Sequence, residues 1–147
     1  LIDQAATLYS RLVVLVAPAG SGKTAVLRQV HERTGAPLIS VNLELSRHML
    51  DLTARHRVLQ LQPLLNQIVI TVPGETALLD NTEMLFDVAL KHDPLMLLKG
   101  LSRHKTVVAS WSGSVEGSYI TYAAPGHPEY RRYRIEDFLL ANLEDLT

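Results

Sequence analysis

Residues 12–16, Leu-Val-Val-Leu-Val, form an unbroken apolar run, and Ala17-Pro18-Ala19-Gly20-Ser21-Gly22-Lys23-Thr24 follows it directly. Such a run reads as a buried strand, and the residues after it carry the Walker A pattern, with Ala17 where the first Gly usually stands. The pairing predicts a strand that delivers the chain into a glycine-rich turn, with a helix starting at about Lys23. Gly20 and Gly22 let successive backbone N–H groups curl around a phosphate. Lys23 supplies a positive charge for the β- and γ-phosphates, and the Thr24 hydroxyl is a ligand for Mg²⁺. The helix N-terminus adds its free N–H groups and the positive end of its dipole. We therefore expect ATP with Mg²⁺ to be held by Pro18, Ala19, Gly20, Ser21, Gly22, Lys23, Thr24 and Ala25.

Along the rest of the chain, apolar strand-like runs alternate with helical patterns, the signature of an α/β fold around a mostly parallel sheet. Further strands are expected at about 37–41, 76–79, 106–110 and 118–123, making five with the first. Helices are expected at 23–34, at 45–59 on the stripe Leu45, Met49, Leu52, His56 and Leu59, from Pro63 to Pro73, at 82–91 and at 94–101. Ile135, Leu139, Leu143 and Leu146 suggest a last amphipathic helix. The expectation is one P-loop NTPase domain over residues 1–147, a five-stranded sheet flanked by helices. A 124–134 loop and a 135–147 helix form its appendage, with no room for a separate lid domain.

Hydrolysis needs more than a phosphate cradle: an acid to organise the metal and a group to orient water. Thr76-Ala77-Leu78-Leu79-Asp80 fits a Walker B strand, and Asp80 is expected to hold Mg²⁺ opposite Thr24. A helix N-cap is its plainer role. Asn81 stands where a Glu usually follows the Walker B acid. Glu83 is the candidate for polarising water, with a dipole-favoured first-turn acid as the alternative. Glu44 is a second candidate base. Ser110, at the end of the fourth strand, is the candidate γ-phosphate sensor, and Trp111 reads as packed core. Arg131 and Arg132, within Glu129-Tyr130-Arg131-Arg132-Tyr133-Arg134, read as an arginine finger, an adenine-side contact, a nucleic-acid patch or a solvated loop.

Twenty per cent charged residues and a net charge of −1 give no global reason to expect nucleic-acid binding. Cysteine is absent, which excludes a disulfide framework and a thiolate nucleophile. The six His lack metal-ligand spacing. No apolar run approaches a membrane span and nothing resembles a signal peptide, so a cytoplasmic protein is expected. The chain opens on Leu1, and a few residues are expected to precede it. GTPases are set aside because no Asn-Lys-x-Asp motif occurs. A small-molecule kinase stays open, although Leu95–Leu101 is apolar where an Arg-rich lid would stand.

Taken together, Ala17–Thr24, Ala77–Glu83, Ser110-Trp111-Ser112-Gly113 and Gly126-His127-Pro128-Glu129-Tyr130-Arg131-Arg132-Tyr133 resemble the BrxF family, the small P-loop proteins of type 3 BREX bacteriophage-resistance systems. The resemblance implies an ATPase or ATP-dependent switch subunit of a bacterial anti-phage defence complex, acting beside a DNA methyltransferase and larger ATPases or helicases. It implies defence-system subunits as partners and DNA engaged through them. Two other functions remain open: a kinase-like phosphotransferase, and a non-catalytic interaction module with a structural nucleotide. Because no lid covers the nucleotide, the isolated chain is expected to be a weak ATPase, completed by self-association through Arg131 and Arg132 or by another subunit.

Overall fold

The computed structural model describes residues 2–5 and 10–143. A short helix α1 (Ile2–Ala5) precedes β1 (Leu12–Ala17), α2 (Lys23–Thr34), β2 (Leu38–Ser40), α3 (Val41–Met49), α4 (Ala54–Thr71) and β3 (Thr76–Asp80). Two 3-10 turns (Glu83–Phe86 and Val88–Leu90) lead to α5 (Pro94–Leu101) and β4 (Thr106–Glu116). The chain then forms β5 (Tyr119–Tyr122), β6 (Arg131–Arg134) and β7 (Leu139–Asn142).

Five strands lie parallel in the order β2-β3-β4-β1-β7, and in this register Leu15 stands between Ser110 of β4 and Ala141 of β7. Every residue of β1 is buried, because alternate side chains enter two different cores. Leu12, Val14 and Val16 pack with Leu79, Ala109 and Trp111 against Leu45, Leu61, Leu65 and Leu98 of α3, α4 and α5. Val13 and Leu15 pack with Leu78, Val108 and Ala141 against Leu27 of α2 and Ala5 of α1. A sheet covered on both faces is what an unalternated apolar strand requires. The fold is therefore a mostly parallel α/β sheet with flanking helices.

Several expectations are corrected. The 135–147 helix is not formed: Leu139–Asn142 is β7, which pairs with the free edge of β1, and residues 144–147 lie outside the described residues. A central strand cannot leave one edge of N–H and C=O groups unpaired, and that need outweighs a short leucine spacing. The 118–123 strand exists but runs antiparallel to β4, and Arg131–Arg134, expected in a loop, pair with β5 as β6. The 45–59 helix is interrupted. Thr53 caps α4 by accepting from the His56 N–H at 3.3 Å, and His56 and Leu59 are exposed. Pro63 lies inside α4 rather than opening a helix. It sits on the exposed face, while Leu61, Leu65 and Val69 bury the opposite stripe.

The 82–91 helix is corrected too, replaced by the two 3-10 turns. The Asp87 carboxylate accepts from the Ala89 N–H at 2.9 Å, a local bond that competes with helical continuation. Beyond the parallel sheet, the end of β4 carries β5 and β6 outward as an antiparallel wing. At the joint, a Cβ on Gly113 would lie 1.8 Å from the Thr121 carbonyl oxygen, so only glycine permits this approach. The wing is anchored by Tyr122 stacked on Phe86 (3.5 Å, 13°) and by Trp111 edge-on to Phe86 at 4.9 Å. The Trp111 indole N–H donates to the Thr121 carbonyl at 2.9 Å, as its reading as packed core requires.

Candidate functional site

β1 ends at the carboxyl edge of the parallel sheet, and the chain turns through Pro18–Gly22 into α2. Gly20 and Gly22 hold φ of +78° and +93°, and a Cβ on either would meet no heavy atom within 4 Å. Backbone conformation rather than crowding demands glycine here, and the missing Cβ atoms leave the inside of the turn open. Pro18 through Gly22 and Ala25 are exposed at the surface. Lys23 is only 7% exposed, and its ammonium donates to the carbonyls of Ala17 (3.1 Å) and Pro18 (2.9 Å), folding back over the turn. Burial lowers the Lys23 pKa, while the Glu83 and Asp80 carboxylates oppose that shift.

Thr24, in the first turn of α2, donates from Oγ1 to Oδ2 of Asp80 at 2.6 Å, across 56 residues of sequence. Asp80 closes β3 on the same face as Leu78, toward α2, and is 6% exposed. The plainer role for Asp80, a helix cap, does not describe it: the 3-10 turn that follows has Thr82 at its cap position, and the Asp80 carboxylate accepts from Thr24. Asn81 takes φ of +52°, and its side chain donates to Oγ of Ser40 at 2.9 Å. It ties the ends of β2 and β3 together instead of adding an acid.

Glu83 stands one turn beyond, with both oxygens engaged. Ser112 Oγ donates to Oε1 at 3.3 Å and Asn42 Nδ2 donates to Oε2 at 3.5 Å. Asn42 is fixed in turn, since its Oδ1 accepts from the Met84 N–H at 3.0 Å and its own N–H donates to the Asn81 carbonyl. Asn42 follows β2, Glu83 follows β3 and Ser112 lies on β4, so three neighbouring strands converge on one carboxylate. Neither Asn42 nor Ser112 stood out as a site residue in the sequence. Asn42 has the character of a cap residue, and Ser112 lies in a turn-rich stretch.

The remaining candidates fall elsewhere. Ser110 is buried, and its carbonyl accepts from Oγ1 of Thr82 at 2.7 Å; Ser112 is the β4 serine that touches Glu83. Glu44 pairs with Arg47 at 3.2 Å on the side of the molecule that carries α3. Arg131 donates to the His92 carbonyl at 3.4 Å, and the Arg132 guanidinium stacks over Tyr119 at 3.7 Å. Both arginines thus belong to the wing rather than to the glycine-rich turn. A cleft of about 490 Å³ separates wing from turn, bordered by Pro18, Ala19, Glu83 and Ser112 on one side and by Tyr122, His127 and Glu129 on the other.

No family model matches the chain, and no curated protein matches it. Among solved structures it is similar to the structure of C. elegans PCH-2, with 14% identity and a TM-score of 0.41. That match covers 90% of this chain and 35% of the other, so the chain spans about a third of the length of the protein it matches. Among the described residues, no helix is long and apolar enough to cross a membrane, and no group of three or more His, Asp or Glu is placed to hold a metal by itself.

Proposed function

We propose that the chain binds ATP with Mg²⁺ at the Pro18–Ala25 turn and works as an ATPase or ATP-dependent switch. The 2.6 Å contact between Thr24 and Asp80 carries this reading, because it joins the hydroxyl after the turn's lysine to the buried acid of a neighbouring strand. A hydroxyl and a carboxylate are the oxygen donors that Mg²⁺ takes, usually alongside phosphate oxygens and water. Support for a phosphate comes from the open turn with its two glycines at positive φ, the start of α2 with no side-chain cap, and the Lys23 ammonium held at the turn's own carbonyls.

In this reading, Lys23 and the N–H groups of Gly20, Gly22, Lys23 and Thr24 would hold the phosphates, with that of Ser21 spent on the Pro18 carbonyl, while Thr24 and Asp80 would hold the cation. The metal, when bound, neutralises phosphate charge. With nucleotide bound, Lys23 would exchange its two carbonyl partners for phosphate oxygens, adding opposite charge on the acceptor to bonds in which only the donor was charged. Glu83, oriented by Asn42 and Ser112, accepts a proton from water or keeps that water aligned. The assignment to an anti-phage complex rests on the motif resemblance, above all on residues 126–133. Arg131 and Arg132 enter it as residues of the wing, available to a neighbouring subunit rather than to their own turn.

The test is Asp80→Asn. It is expected to abolish the Mg²⁺-dependent part of ATP affinity while sparing the affinity measured in EDTA. A folded variant with wild-type affinity in Mg²⁺ would leave Asp80 a purely structural partner of Thr24. Phosphate release without an added acceptor separates an ATPase from a phosphotransferase, and bound nucleotide without turnover marks an interaction module.

A further inference from the structure

The joint between wing and sheet falls at a partner of Glu83. β4 changes neighbour between Ser112, which pairs with Ala17 of β1, and Gly113, which pairs with Tyr122 of β5. Ser112 is the residue whose hydroxyl donates to Oε1 of Glu83 at 3.3 Å. A second route reaches the same acid through the core. Glu83 opens a 3-10 turn and Phe86 closes it. Side chains at i and i+3 of such a turn eclipse, so these two stand on one side of it. The buried Phe86 ring stacks in turn on Tyr122, the last residue of β5.

Four rings make up this second route. Trp111 stands edge-on to Phe86 at 4.9 Å, to Tyr122 at 6.3 Å and to Tyr133 of β6 at 5.8 Å. Two rings of the wing thus meet one ring of the sheet and one of the Glu83 turn in a single cluster. Close-packed side chains pass a displacement to their neighbours rather than absorb it. The wing is also tied to the start of α5. The Tyr133 hydroxyl donates to Oδ1 of Asp93 at 3.0 Å, the same oxygen that accepts the Met96 N–H. Loss of that hydroxyl loosens the wing while leaving every ring in place.

We propose that the wing sets the orientation of the Glu83 carboxylate, with Tyr122 and Phe86 as positioning residues that carry its placement to the 3-10 turn. A displacement of β5 reaches Glu83 through Phe86 within the turn and through Ser112 beside Gly113. An acid that aligns water is sensitive to such shifts, because a misplacement of about 1 Å lowers the rate steeply. Lys23 and Thr24 are bonded to Ala17, Pro18 and Asp80, none of them in the ring cluster, so nucleotide binding is expected to be spared. That Glu83 aligns water rests on the ATPase reading above, whereas the placement of its carboxylate by the rings does not.

The test uses the whole chain and two readouts. In ¹⁵N-labelled protein without nucleotide, the side-chain amide of Asn42 reports on the Glu83 carboxylate to which it donates, with Glu83→Gln as the reference for a changed acceptor. Tyr122→Leu, which removes the stacked ring, is expected to shift that resonance, and Tyr122→Phe, which keeps the ring, to leave it in place. Tyr133→Phe releases Asp93 and keeps all four rings, so the shift expected there has no ring-current cause. It decides alone if Tyr122→Leu does not fold. In steady-state hydrolysis, Tyr122→Leu is expected to lower kcat at least about fivefold with KM within about twofold of wild type, and Tyr122→Phe to restore both. An Asn42 resonance unmoved in whichever of Tyr122→Leu and Tyr133→Phe folds overturns the proposal, as does a loss confined to KM. A wild type that releases no phosphate overturns the ATPase reading alone, and the Asn42 resonance then decides whether the wing places Glu83.

Discussion

Glu83 owes its position to two side chains that are remote from it in sequence, Asn42 by 41 residues and Ser112 by 29. If Glu83 orients water, Glu83→Gln keeps ATP affinity and loses hydrolysis, by about a hundredfold or more for an acid–base group. Asn42→Ala leaves one carboxylate oxygen free to turn and is expected to lower kcat by about tenfold, with KM little changed. Radiometric phosphate release measures both. Tyr122 offers a separate check. Its pKa in the folded protein, about 12, lies above the ordinary 10.0, so the native state holds this proton more tightly than the unfolded chain. Its contribution is complete below pH 10 and is lost as pH rises toward 12. Denaturation followed from pH 9 to 11.5 is expected to show a steeper alkaline loss in wild type than in Tyr122→Phe. The meeting of Thr24 with Asp80 was legible in the sequence because a short local pattern singles out each residue. Asn42 and Ser112 were not, because only the strand order β2-β3-β4 places them beside Glu83.

Among the elements, β4 does two jobs. Its first half is a buried parallel strand, and beyond Ser112 it becomes the first strand of the wing. Gly113 marks the change of partner, with no space for a Cβ against the Thr121 carbonyl. Gly113→Val is expected to cost at least about 2 kcal/mol of stability, or to detach the wing, because the obstacle is backbone. Urea denaturation followed by Trp111 fluorescence reads this out, since Trp111 bonds that same Thr121 carbonyl. The long apolar strands were legible because runs buried on both faces have few other uses. The wing and β7 were misread for a shared reason: their residues are short, mixed segments whose conformation is set by the edge they meet. Leu139 and Ala141 enter one core and Leu140 packs toward the other, an alternation hidden within a leucine spacing that also suits a helix.

At the scale of the whole molecule, the parallel sheet gathers the chemistry at one edge. The ends of β1, β2, β3 and β4 deliver the glycine-rich turn, Asn42, Asp80 with Glu83, and Ser112 to the same rim. In open α/β sheets, ligands bind in the crevice outside the carboxyl ends of the strands, and this rim has that place in the fold. The wing rises beside it and makes the far wall of the cleft. Among the described residues nothing roofs the turn itself, and Pro18 through Gly22 remain exposed. We propose that this rim holds ATP through Lys23. The most direct measurement is calorimetric titration of wild type and Lys23→Ala with ATP in Mg²⁺, with circular dichroism to confirm that both are folded. Removing the charge-assisted contact is expected to weaken ATP at least about tenfold, the equivalent of roughly 1.5–3 kcal/mol. Equal affinity in the two folded proteins, or no ATP binding by wild type, would contradict it.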